Sequence, residues 1–368
     1  MKLLVQPGDG ANPLVKAIQG AKTSIEIFIF RFDRVEIENA LVKAVARGVS
    51  VRALIAYTNR GGERSLRALE MRLLAAGVTV ARTADDLVRY HGKLMIIDGR
   101  ELYLLGFNFT SLDIERSRSF GVITSDSQIV TEARNLFDAD SRRLPYTPGL
   151  DTFLVSPVNA RKRLAAFIRG AKKELLIYDP AVTDPAMGRL LAARSGEGVA
   201  TRVLGRLSRR VSGIEAMGLS MRLHARMIIR DREHVFLGSQ SLRTAELDAR
   251  REVGLIFHDP QIGARLCEIF EDDWNESRKV RAEPHPAVDT SDEPPPSRKV
   301  AKKVAKTIVR ELPPVGPVIE VVFRELAGPK TEVEIDASQL EATVKDAVKS
   351  AIQDVVAEAV EQATAEPE

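Results

Sequence analysis

The sequence predicts an α/β fold in which two copies of one domain pack as a pseudo-two-fold dimer, followed by a C-terminal linker and a small α+β or helical tail. Three features predict it. A short polar motif occurs twice, each copy follows a similar helix and apolar run, and strands alternate with helices. A repeat must be identified before a fold is assigned. With a period of about 130 to 150 residues, each copy is large enough to have its own core.

The elements of the first repeat are predicted from hydrophobic periodicity. Thr23–Phe30 is an apolar, β-branched run that is typical of a buried strand. Val35–Arg47 has helical spacing and ends at Gly48, where a helix is expected to stop. The other predicted elements are strand Val49–Tyr57, helix Arg64–Ala76, strands Lys93–Ile97 and Glu101–Leu105, a strand beginning at Gly121, and a closing helix at Gln128–Phe137.

The second repeat has the same order of elements. They are helix Arg161–Gly170, strand Lys173–Asp179, helix Asp184–Ser195, strands Val199–Gly205, Ala225–Ile229, His234–Leu237 and Val253–Phe257, and helix Pro260–Asn275. Alternation of strands and helices implies a parallel or mixed sheet covered by helices on both faces. Two such halves should pack about an approximate two-fold axis.

The chain divides into four parts. The repeats are assigned to residues 1–148 and 149–278, a disordered Pro- and Lys-rich linker to 279–313, and a small module to 314–368. In that module, Ser338–Glu341 resembles a capping box that opens an amphipathic helix. This helix is expected to bind a protein partner, to self-associate, or to fold onto a hairpin of its own module.

Composition indicates an ordinary globular protein of 368 residues, with 44% hydrophobic and 29% charged residues. The single cysteine, Cys267, excludes an intramolecular disulfide and lies on an apolar helical stripe, which predicts a buried structural thiol. No apolar run is long enough to span a bilayer, and the N-terminus lacks the apolar core of a secretory signal. We expect a cytoplasmic protein, and peripheral contact with the inner face of an anionic membrane stays open.

The net charge is only +3, but arginines crowd the approach to the second motif. Such clusters favour phosphate-bearing partners, although a solvated basic surface gives the same pattern. Few aromatic residues lie among the arginines, which argues against stacking on single-stranded bases. The arginines are Arg202, Arg206, Arg209, Arg210, Arg222, Arg226, Arg230 and Arg232.

The repeated motif has the form H-x-(K/R)-x-x-x-x-D, with a small polar cluster after it. One match is weak evidence, but two matches at equivalent positions of repeated domains are strong. The motif residues are His91, Lys93 and Asp98 in the first copy and His224, Arg226 and Asp231 in the second. The polar residues that follow are Asn108 in the first copy and Ser239 and Ser241 in the second.

A pair of histidines suits displacement at phosphorus. The ordinary pKa of imidazole is near 6.5, so a neutral histidine can attack while a protonated one donates to the leaving oxygen. We expect His91 to be the nucleophile and His224 the acid, because the first motif is the more complete. The side chains expected to hold the phosphate are Lys93, Arg226, Asn108, Ser239 and Ser241.

The other three histidines are expected to have no role in the reaction. His234 and His258 lie at strand ends, and His285 lies among the prolines of the linker. No cluster of histidine, cysteine or acidic residues has the sequence spacing of metal ligands. Neither a metal nor a cofactor is therefore expected.

At these residues the sequence resembles the phospholipase D superfamily, whose duplicated motif is H-x-K-x-x-x-x-D followed by G-S-x-N. The resemblance covers roughly Leu14 to Ser277 and implies a metal-independent ping-pong reaction through a phosphohistidine. The superfamily includes phospholipases D, cardiolipin and phosphatidylserine synthases, and endonucleases. By position, the resemblance implies catalytic roles for His91, Lys93, Asp98, His224, Arg226 and Asp231, and it places Asn108 and Ser241 at the asparagine position.

Several positions depart from the family pattern. In the first cluster, Leu105 and Gly106 replace glycine and serine. In the second copy, Arg226 replaces lysine and Ser241 replaces asparagine. Arginine keeps the charge of lysine but differs in shape and in the bonds it forms.

The acid that orients a histidine in many members is also present only once. Glu252 fits that position, whereas the equivalent residue of the first repeat is Ser119. Asp113 or Glu115 could substitute for the missing carboxylate. The site is therefore expected to be asymmetric, and reduced or altered activity stays open.

Three functions are compatible with the sequence. The first, and the expected one, is a phosphodiesterase or phosphatidyl transferase that acts on phospholipid head groups or another phosphodiester. The second is a nuclease or nucleic-acid-processing phosphodiesterase. The third is a non-catalytic scaffold that binds anionic phosphate. The lack of an apolar docking loop argues against the first, the lack of an aromatic platform against the second, and the presence of both histidines against the third.

Overall fold

A computed structural model of the chain describes residues 1–57, 63–208 and 211–282. The predicted linker beyond Ala282 and the C-terminal module lie outside the described residues, and so do Arg209 and Arg210.

In the described residues, the first repeat contains eight strands and five helices. Its strands are β1 (Lys2–Gln6), β2 (Ser24–Ile29), β3 (Ser50–Ile55), β4 (Thr79–Arg82), β5 (Arg89–Tyr90), β6 (Leu94–Ile97), β7 (Glu101–Leu105) and β8 (Ser117–Thr124). Its helices are α1 (Asn12–Gly20), α2 (Val35–Ala46), α3 (Glu63–Ala75), α4 (Ser111–Glu115) and α5 (Ser127–Arg142).

The second repeat follows the same plan. Its strands are β9 (Phe153–Val155), β10 (Glu174–Val182), β11 (Ala200–Leu207), β12 (Ile214–Met217), β13 (Arg222–Leu223), β14 (Met227–Arg230), β15 (His234–Gly238), β16 (Arg250–Arg251) and β17 (Val253–His258). Its helices are α6 (Ala160–Arg169), α7 (Pro185–Gly196), α8 (Thr244–Asp248) and α9 (Pro260–Ala282).

Each repeat forms a mixed sheet, and equivalent strands occupy equivalent places. The order is β1-β8-β7-β6-β2-β3-β4 in the first sheet and β9-β17-β15-β14-β10-β11-β12 in the second. In both sheets the last three strands are parallel, and the other neighbours are antiparallel. The predicted α/β fold of two repeated domains is confirmed by this matching order.

The two sheets share a central core, and each has an outer core beneath its helices. Side chains alternate between the faces of a strand, so β2 sends Ile25, Ile27 and Ile29 to the outer core under α1, α2 and α3 and sends Phe28 to the central core. The central core contains apolar residues of both repeats. Phe120 of the first repeat packs edge-on against Tyr178 of the second, with ring centroids 5.2 Å apart. The repeats therefore bury one another's inner sheet face.

Two short strand pairs cross between the repeats. β5 of the first repeat pairs in parallel with β16 of the second, so that Tyr90 is opposite Arg251. β13 of the second repeat pairs in parallel with the start of β8, so that Leu223 is opposite Arg118. Each motif histidine is the residue that follows one of these strands. The crossings therefore bring both motifs to the boundary between the repeats.

Asp98 and Asp231 fasten the starts of the strands β2 and β10. The carboxylate of Asp98 accepts backbone N–H groups of residues 22–24 at 2.6–3.0 Å. The carboxylate of Asp231 accepts those of residues 172–174 at 2.7–3.1 Å. Both aspartates adopt the left-handed backbone conformation, with φ of 52° and 50°. These residues close equivalent turns in the two repeats.

The structure corrects some predicted boundaries. Helix α9 extends to Ala282, so the segment predicted as linker from residue 279 begins inside a helix. Some short elements have no counterpart among the predicted ones, because they are too short to show periodicity. They are the two-residue strands β5, β13 and β16 and the five-residue helices α4 and α8.

Cys267 is buried, as predicted. None of the helices in the described part of the chain has an apolar stretch that could cross a bilayer.

We expect Asp98→Asn to lower the free energy of unfolding by about 1–3 kcal/mol, because an amide replaces two acceptor oxygens with one and turns an NH2 group toward backbone donors. Asparagine tolerates the left-handed conformation, so the substitution isolates the carboxylate. Urea denaturation at neutral pH measures the loss.

This loss should depend on pH. Burial raises the pKa of Asp98, but its hydrogen bonds from backbone N–H groups outweigh burial and hold the pKa below its usual value. The stabilisation is then present above the unfolded pKa of about 3.9 and is lost as the pH falls through the lower folded pKa. The difference between wild type and variant should shrink in acid. An equal loss in Asp85→Asn, an exposed aspartate of the same repeat, would contradict the assignment.

Candidate active site

His91 lies beside a carboxylate of the opposite repeat. The parallel register of β5 and β16 makes His91 and Glu252 the next pair after Tyr90 and Arg251. The His91 N–H donates to the carbonyl of Arg251 at 2.7 Å, and its Nδ1 lies 2.8 Å from one oxygen of Glu252 and 3.1 Å from the other. Both residues are buried, at 5% and 0% exposed. The carboxylate holds the proton on Nδ1 and leaves the lone pair of Nε2 available for an electrophile.

The equivalent crossing places His224 beside a serine. The register of β13 and β8 makes His224 the neighbour of Ser119, and the His224 N–H donates to the carbonyl of Arg118 at 3.0 Å. The Ser119 hydroxyl donates to the backbone carbonyl of Asp113 at 3.3 Å. The two crossings are thus alike in backbone and differ in the side chain beside the histidine, which confirms the predicted asymmetry.

A carboxylate reaches His224 from helix α4 instead. One oxygen of Asp113 lies 3.2 Å from Nε2 of His224, and the other accepts Nη1 of Arg222 at 2.7 Å. Burial raises the pKa of Asp113, but His224, a backbone N–H and Arg222 outweigh burial and hold that pKa well below its usual range. Asp113 is therefore ionised and favours a proton on His224. Glu115, the other substitute considered, pairs with Arg34.

Lys93 and Arg226 occupy equivalent places in the two repeats. Nζ of Lys93 donates to the carbonyl of His91 at 2.7 Å, and Nη1 of Arg226 donates to the carbonyl of His224 at 2.9 Å. Lys93 is 1% exposed and lies over the ring of Phe30, which packs edge-on against His91. Each cation is thus tied to its own histidine, and the exchange of lysine for arginine preserves this arrangement.

Both imidazoles lie in the field of both cations. Burial is the main cause that lowers the pKa of each histidine. Lys93 and Arg226 lower both pKa values further, while Asp113 opposes this at His224. Burial also lowers the pKa of Lys93 to about 7. Both histidines thus respond to the same two cations, and an anion bound between these cations would favour the protonated forms.

Asn108 lies at the site, but its amide is partly engaged. Its backbone N–H and Nδ2 donate to Asp113 at 3.0 and 2.6 Å, and its Oδ1 is buried without a partner in the described structure. Close by, a Cβ atom at Gly106 would lie 2.8 Å from the carbonyl oxygen of Phe120 and 3.3 Å from that of Gly238. The polar clusters of the two repeats therefore touch, and contact this close explains glycine at position 106.

The prediction that Ser239 and Ser241 bind phosphate is not supported. The Ser239 hydroxyl accepts the N–H of Val253 at 3.0 Å and donates to the carbonyl of Val253 at 3.3 Å. The Ser241 hydroxyl donates to Asp179. Both serines are 1% exposed. Both hydroxyls are therefore bonded inside the protein, Ser239 to the backbone of Val253 and Ser241 to a carboxylate.

The contacts of Asp98 and Asp231 are with backbone N–H groups, so the catalytic roles predicted for them rest on the motif alone. Lys93 precedes strand β6 and Asp98 follows it, which separates them by about 16 Å at the usual rise of a strand. Arg226 and Asp231 flank β14 in the same way. Both carboxylates bind backbone N–H groups at strand starts. The contacts of both aspartates are therefore those of residues that close a turn.

The predicted arginine cluster is also dispersed. Arg202 pairs with Glu174 and Glu271, and Arg230 lies over the ring of Phe167. Arg222 and Arg226 instead contact Asp113 and Glu246, acidic residues of the site. These four described arginines therefore have different partners.

Two acidic residues of the site were not fully recognised in the sequence. Asp113 follows Asn108 by five positions, and Glu246 follows Ser241 by five positions. Each accepts the backbone N–H of that earlier residue, at 3.0 and 2.7 Å. Equal spacing in the two repeats is the signal that could have identified them. Buried Asp179, which bonds Ser241, has no such signal.

Comparison with known proteins agrees with this geometry. The family model described as a cardiolipin synthase, phospholipase D-like domain matches residues 14–141. This match supports membership in the phospholipase D superfamily, and it covers the first repeat.

The matched relatives are named for different enzyme activities. The polyphosphate kinase of Vibrio parahaemolyticus is 27% identical over 288 residues, which cover 70% of this chain and 41% of that protein. The mitochondrial cardiolipin hydrolase of Danio rerio is 28% identical over 117 residues, or 32% of this chain and 50% of that protein. The chain thus spans less than half the length of the polyphosphate kinases that it matches.

Solved structures share the fold at low identity. The polyphosphate kinase of Porphyromonas gingivalis has a TM-score of 0.63 and 19% identity, covering 74% of this chain and 50% of that chain. The phosphatidylserine synthase of Haemophilus influenzae has a TM-score of 0.52 and 11% identity, covering 76% of this chain and 86% of that chain. The fold is therefore shared with half of the first structure and with most of the second.

Glu252→Gln should lower turnover of a soluble chromogenic phosphodiester by about 10²- to 10⁴-fold, because an amide cannot hold the same proton on Nδ1 of His91. Circular dichroism should show an intact fold. Ser119→Ala, at the equivalent place beside His224, is the matched control and should change turnover by less than about three-fold. Equal losses in the two variants would show that Glu252 does not act through His91.

Sulfate should bind more weakly as the pH rises from about 6 to about 9, where its own charge is constant. Lys93 has a pKa of about 7 in the empty site, so binding above that pH must be accompanied by proton uptake. Isothermal titration should give an affinity that falls by up to about ten-fold per pH unit. Lys93→Met should bind more weakly and with a shallower pH dependence, because only the histidines then take up protons when the anion binds. A steep dependence that survives in Lys93→Met would assign the proton to another group.

Proposed function

We propose that this chain transfers a phosphorus-containing group through a covalent phosphohistidine at His91. The observation that carries the proposal is the bond from Glu252 of the opposite repeat to Nδ1 of His91, at 2.8 Å. That bond orients Nε2 as a nucleophile, in the way that an acid orients a catalytic histidine. Burial lowers the pKa of His91, which keeps the attacking imidazole neutral near pH 7.

The proposed reaction has two steps. In the first, the Nε2 lone pair of His91 attacks phosphorus, the bond from phosphorus to the leaving oxygen breaks, and that oxygen takes a proton from His224. In the second, His224 removes a proton from the acceptor, the acceptor oxygen attacks phosphorus, and the N–P bond breaks. Burial lowers the pKa of His224, and Asp113, 3.2 Å from its Nε2, opposes that lowering and so favours the protonated form that this role requires.

Charge on the transferred group is held by buried cations. Lys93 and Arg226 flank the histidines and influence the pKa of both. Such cations act strongly because water is excluded and no reorganisation is needed during displacement. In this proposal, Lys93 and Arg226 supply the positive charge that stabilises the displacement.

The favoured substrate class is a chain of phosphoanhydrides. Three findings support it. The match to polyphosphate kinase covers 70% of this chain. The polyphosphate kinase structure also has the higher TM-score of the two described above. Arg222 lies beside Asp113 at the edge of the site, where it can contact a further phosphate group. In this reaction the terminal phosphoryl group moves to His91 and the shortened chain leaves.

The second candidate is the phosphodiester of a phospholipid head group. It is favoured by the family match over residues 14–141 and by the phosphatidylserine synthase fold, of which 86% is covered. This candidate uses the same histidines and differs in the leaving group, an alcohol in place of a phosphate. Hydrolysis of nucleic acid and a non-catalytic scaffold are the outcomes that would replace both.

The test is to trap the covalent intermediate with substrates of each class. Full-length protein would be incubated with radiolabelled polyphosphate, with phosphatidylglycerol vesicles and with plasmid DNA, then denatured in alkali and digested. We expect an acid-labile adduct on the peptide that contains His91, formed with polyphosphate. An adduct formed only from phosphatidylglycerol favours the second candidate. An adduct on His224 would reverse the two roles, and no adduct with any substrate would support the scaffold.

His224→Asn should separate the two steps. With bis(p-nitrophenyl) phosphate, the leaving group needs no proton, so the first step should proceed while the second lacks its base. A burst of about one p-nitrophenol per site followed by slow turnover is expected, with the adduct accumulating on His91. His91→Asn should give no burst. A burst in His91→Asn and none in His224→Asn would contradict the assignment.

A further inference from the structure

A second histidine pair lies at the far end of the sheet in the second repeat. In the antiparallel pairing of β15 and β17, His234 is directly opposite His258. The ring centroids are 4.6 Å apart. Phe236, two residues along β15 from His234 and on the same face, belongs to the outer core. The pair therefore lies on the outer face of the sheet, although the two histidines are far apart in sequence.

Glu233 adds a carboxylate to this pair. Its Oε2 lies 3.4 Å from Nε2 of His258. One ligand atom from each of the three residues lies within 4.8 Å of the other two. A tetrahedral ion with bonds of about 2.0–2.1 Å holds its ligands about 3.3 Å apart. One of the three separations already fits.

The remaining adjustment needs only side-chain rotation. The side chains of Glu233 and His258 are 57% and 52% exposed, so they can turn without disturbing the core. Nδ1 of His234 has no hydrogen-bond partner among the described residues. Within the described residues, no hydrogen bond from Nδ1 therefore opposes rotation of the His234 ring toward an ion.

The nearest cations are engaged elsewhere. Arg230 donates Nη1 to the carbonyl of Phe167 at 3.2 Å and lies over its ring at 4.6 Å. Arg232 pairs with Glu174 at 3.2 Å. Both guanidinium groups are thus directed to other partners, which limits their repulsion of a metal ion.

We infer that Glu233, His234 and His258 form a binding site for a borderline divalent transition-metal ion, with Zn²⁺ as the best fit. Two imidazoles and one carboxylate suit zinc, which binds nitrogen and oxygen ligands without a strong geometric preference. Magnesium and calcium prefer oxygen ligands and should be excluded. The expectation from sequence spacing that no metal would bind is thereby revised, because the strand register assembles ligands that spacing does not reveal.

The position of this site assigns it a structural role. Strand β15 runs from His234 to Gly238, next to Ser239, and β17 begins directly after Glu252. The metal would therefore join the two strands at one end while Ser239 and Glu252 meet at the other end, about 13–20 Å away. It would stabilise the strand pair that supports Glu252, and it would not contact the reacting phosphorus.

Zinc binding to the untagged full-length protein tests the inference. After chelator treatment and dialysis, titration with ZnCl₂ should show a site that His258→Gln weakens by at least about ten-fold. His258 is half exposed, so this variant should fold. Glu233→Gln should weaken binding less, and His285→Gln, which changes a histidine outside the group, should leave the site unchanged. Mg²⁺ at the same concentration should not compete.

A second measurement separates this site from the catalytic histidines, which could also bind zinc. Zinc should raise the melting temperature of wild type and of His91→Asn, but not that of His258→Gln, because a ligand stabilises only the fold that binds it. Zinc affinity and thermal shift that are the same in wild type and His258→Gln would overturn the inference. Neither measurement depends on the proposed phosphohistidine.

Discussion

The arrangement of the site depends on two parallel strand pairs that cross between the repeats. Each pair is only two residues long, yet its register decides which side chain stands beside a histidine. Because Tyr90 pairs with Arg251, Glu252 lies next to His91. Because Leu223 pairs with Arg118, Ser119 lies next to His224. The central core, shared by both sheets, supplies the apolar burial that holds these short pairs in place. The site is therefore a product of packing between the repeats.

Burying so many ionisable groups together costs desolvation energy, and the pattern of pairing shows how the fold limits it. Lys93 and Arg226 donate to the carbonyls of their own histidines. Glu252 and Asp113 serve histidines of the opposite repeat. A buried charge without a partner would be strongly destabilising. Without a bound anion the imidazoles are neutral, which reduces the number of buried charges. A bound phosphate supplies negative charge that pairs with Lys93 and Arg226.

Long elements and the repeat were predictable from the sequence, because periodicity and motif recurrence are local properties. The prediction for the strand at Thr23–Phe30 differs from the structure by one residue at each end. Motif spacing shows that Asp98 and Asp231 recur with the histidines, but it does not show that their side chains bind backbone N–H groups at strand starts. The role of Glu252 was predicted, whereas the reach of Asp113 to His224 depends on where α4 packs. The bonds of Ser241 to Asp179 and the opposition of His234 to His258 likewise arise from tertiary register, which no single segment encodes.

The crossed arrangement also bears on how the two copies could have diverged. Each histidine has its neighbouring side chain in the other copy. A change such as serine at position 119 of the first copy therefore alters the surroundings of His224 and leaves His91 untouched. Each copy therefore carries the determinants of the other's chemistry. A copy separated by gene fission would retain its motif but lose the acid that serves it, so selection acts on the two copies as one inherited unit.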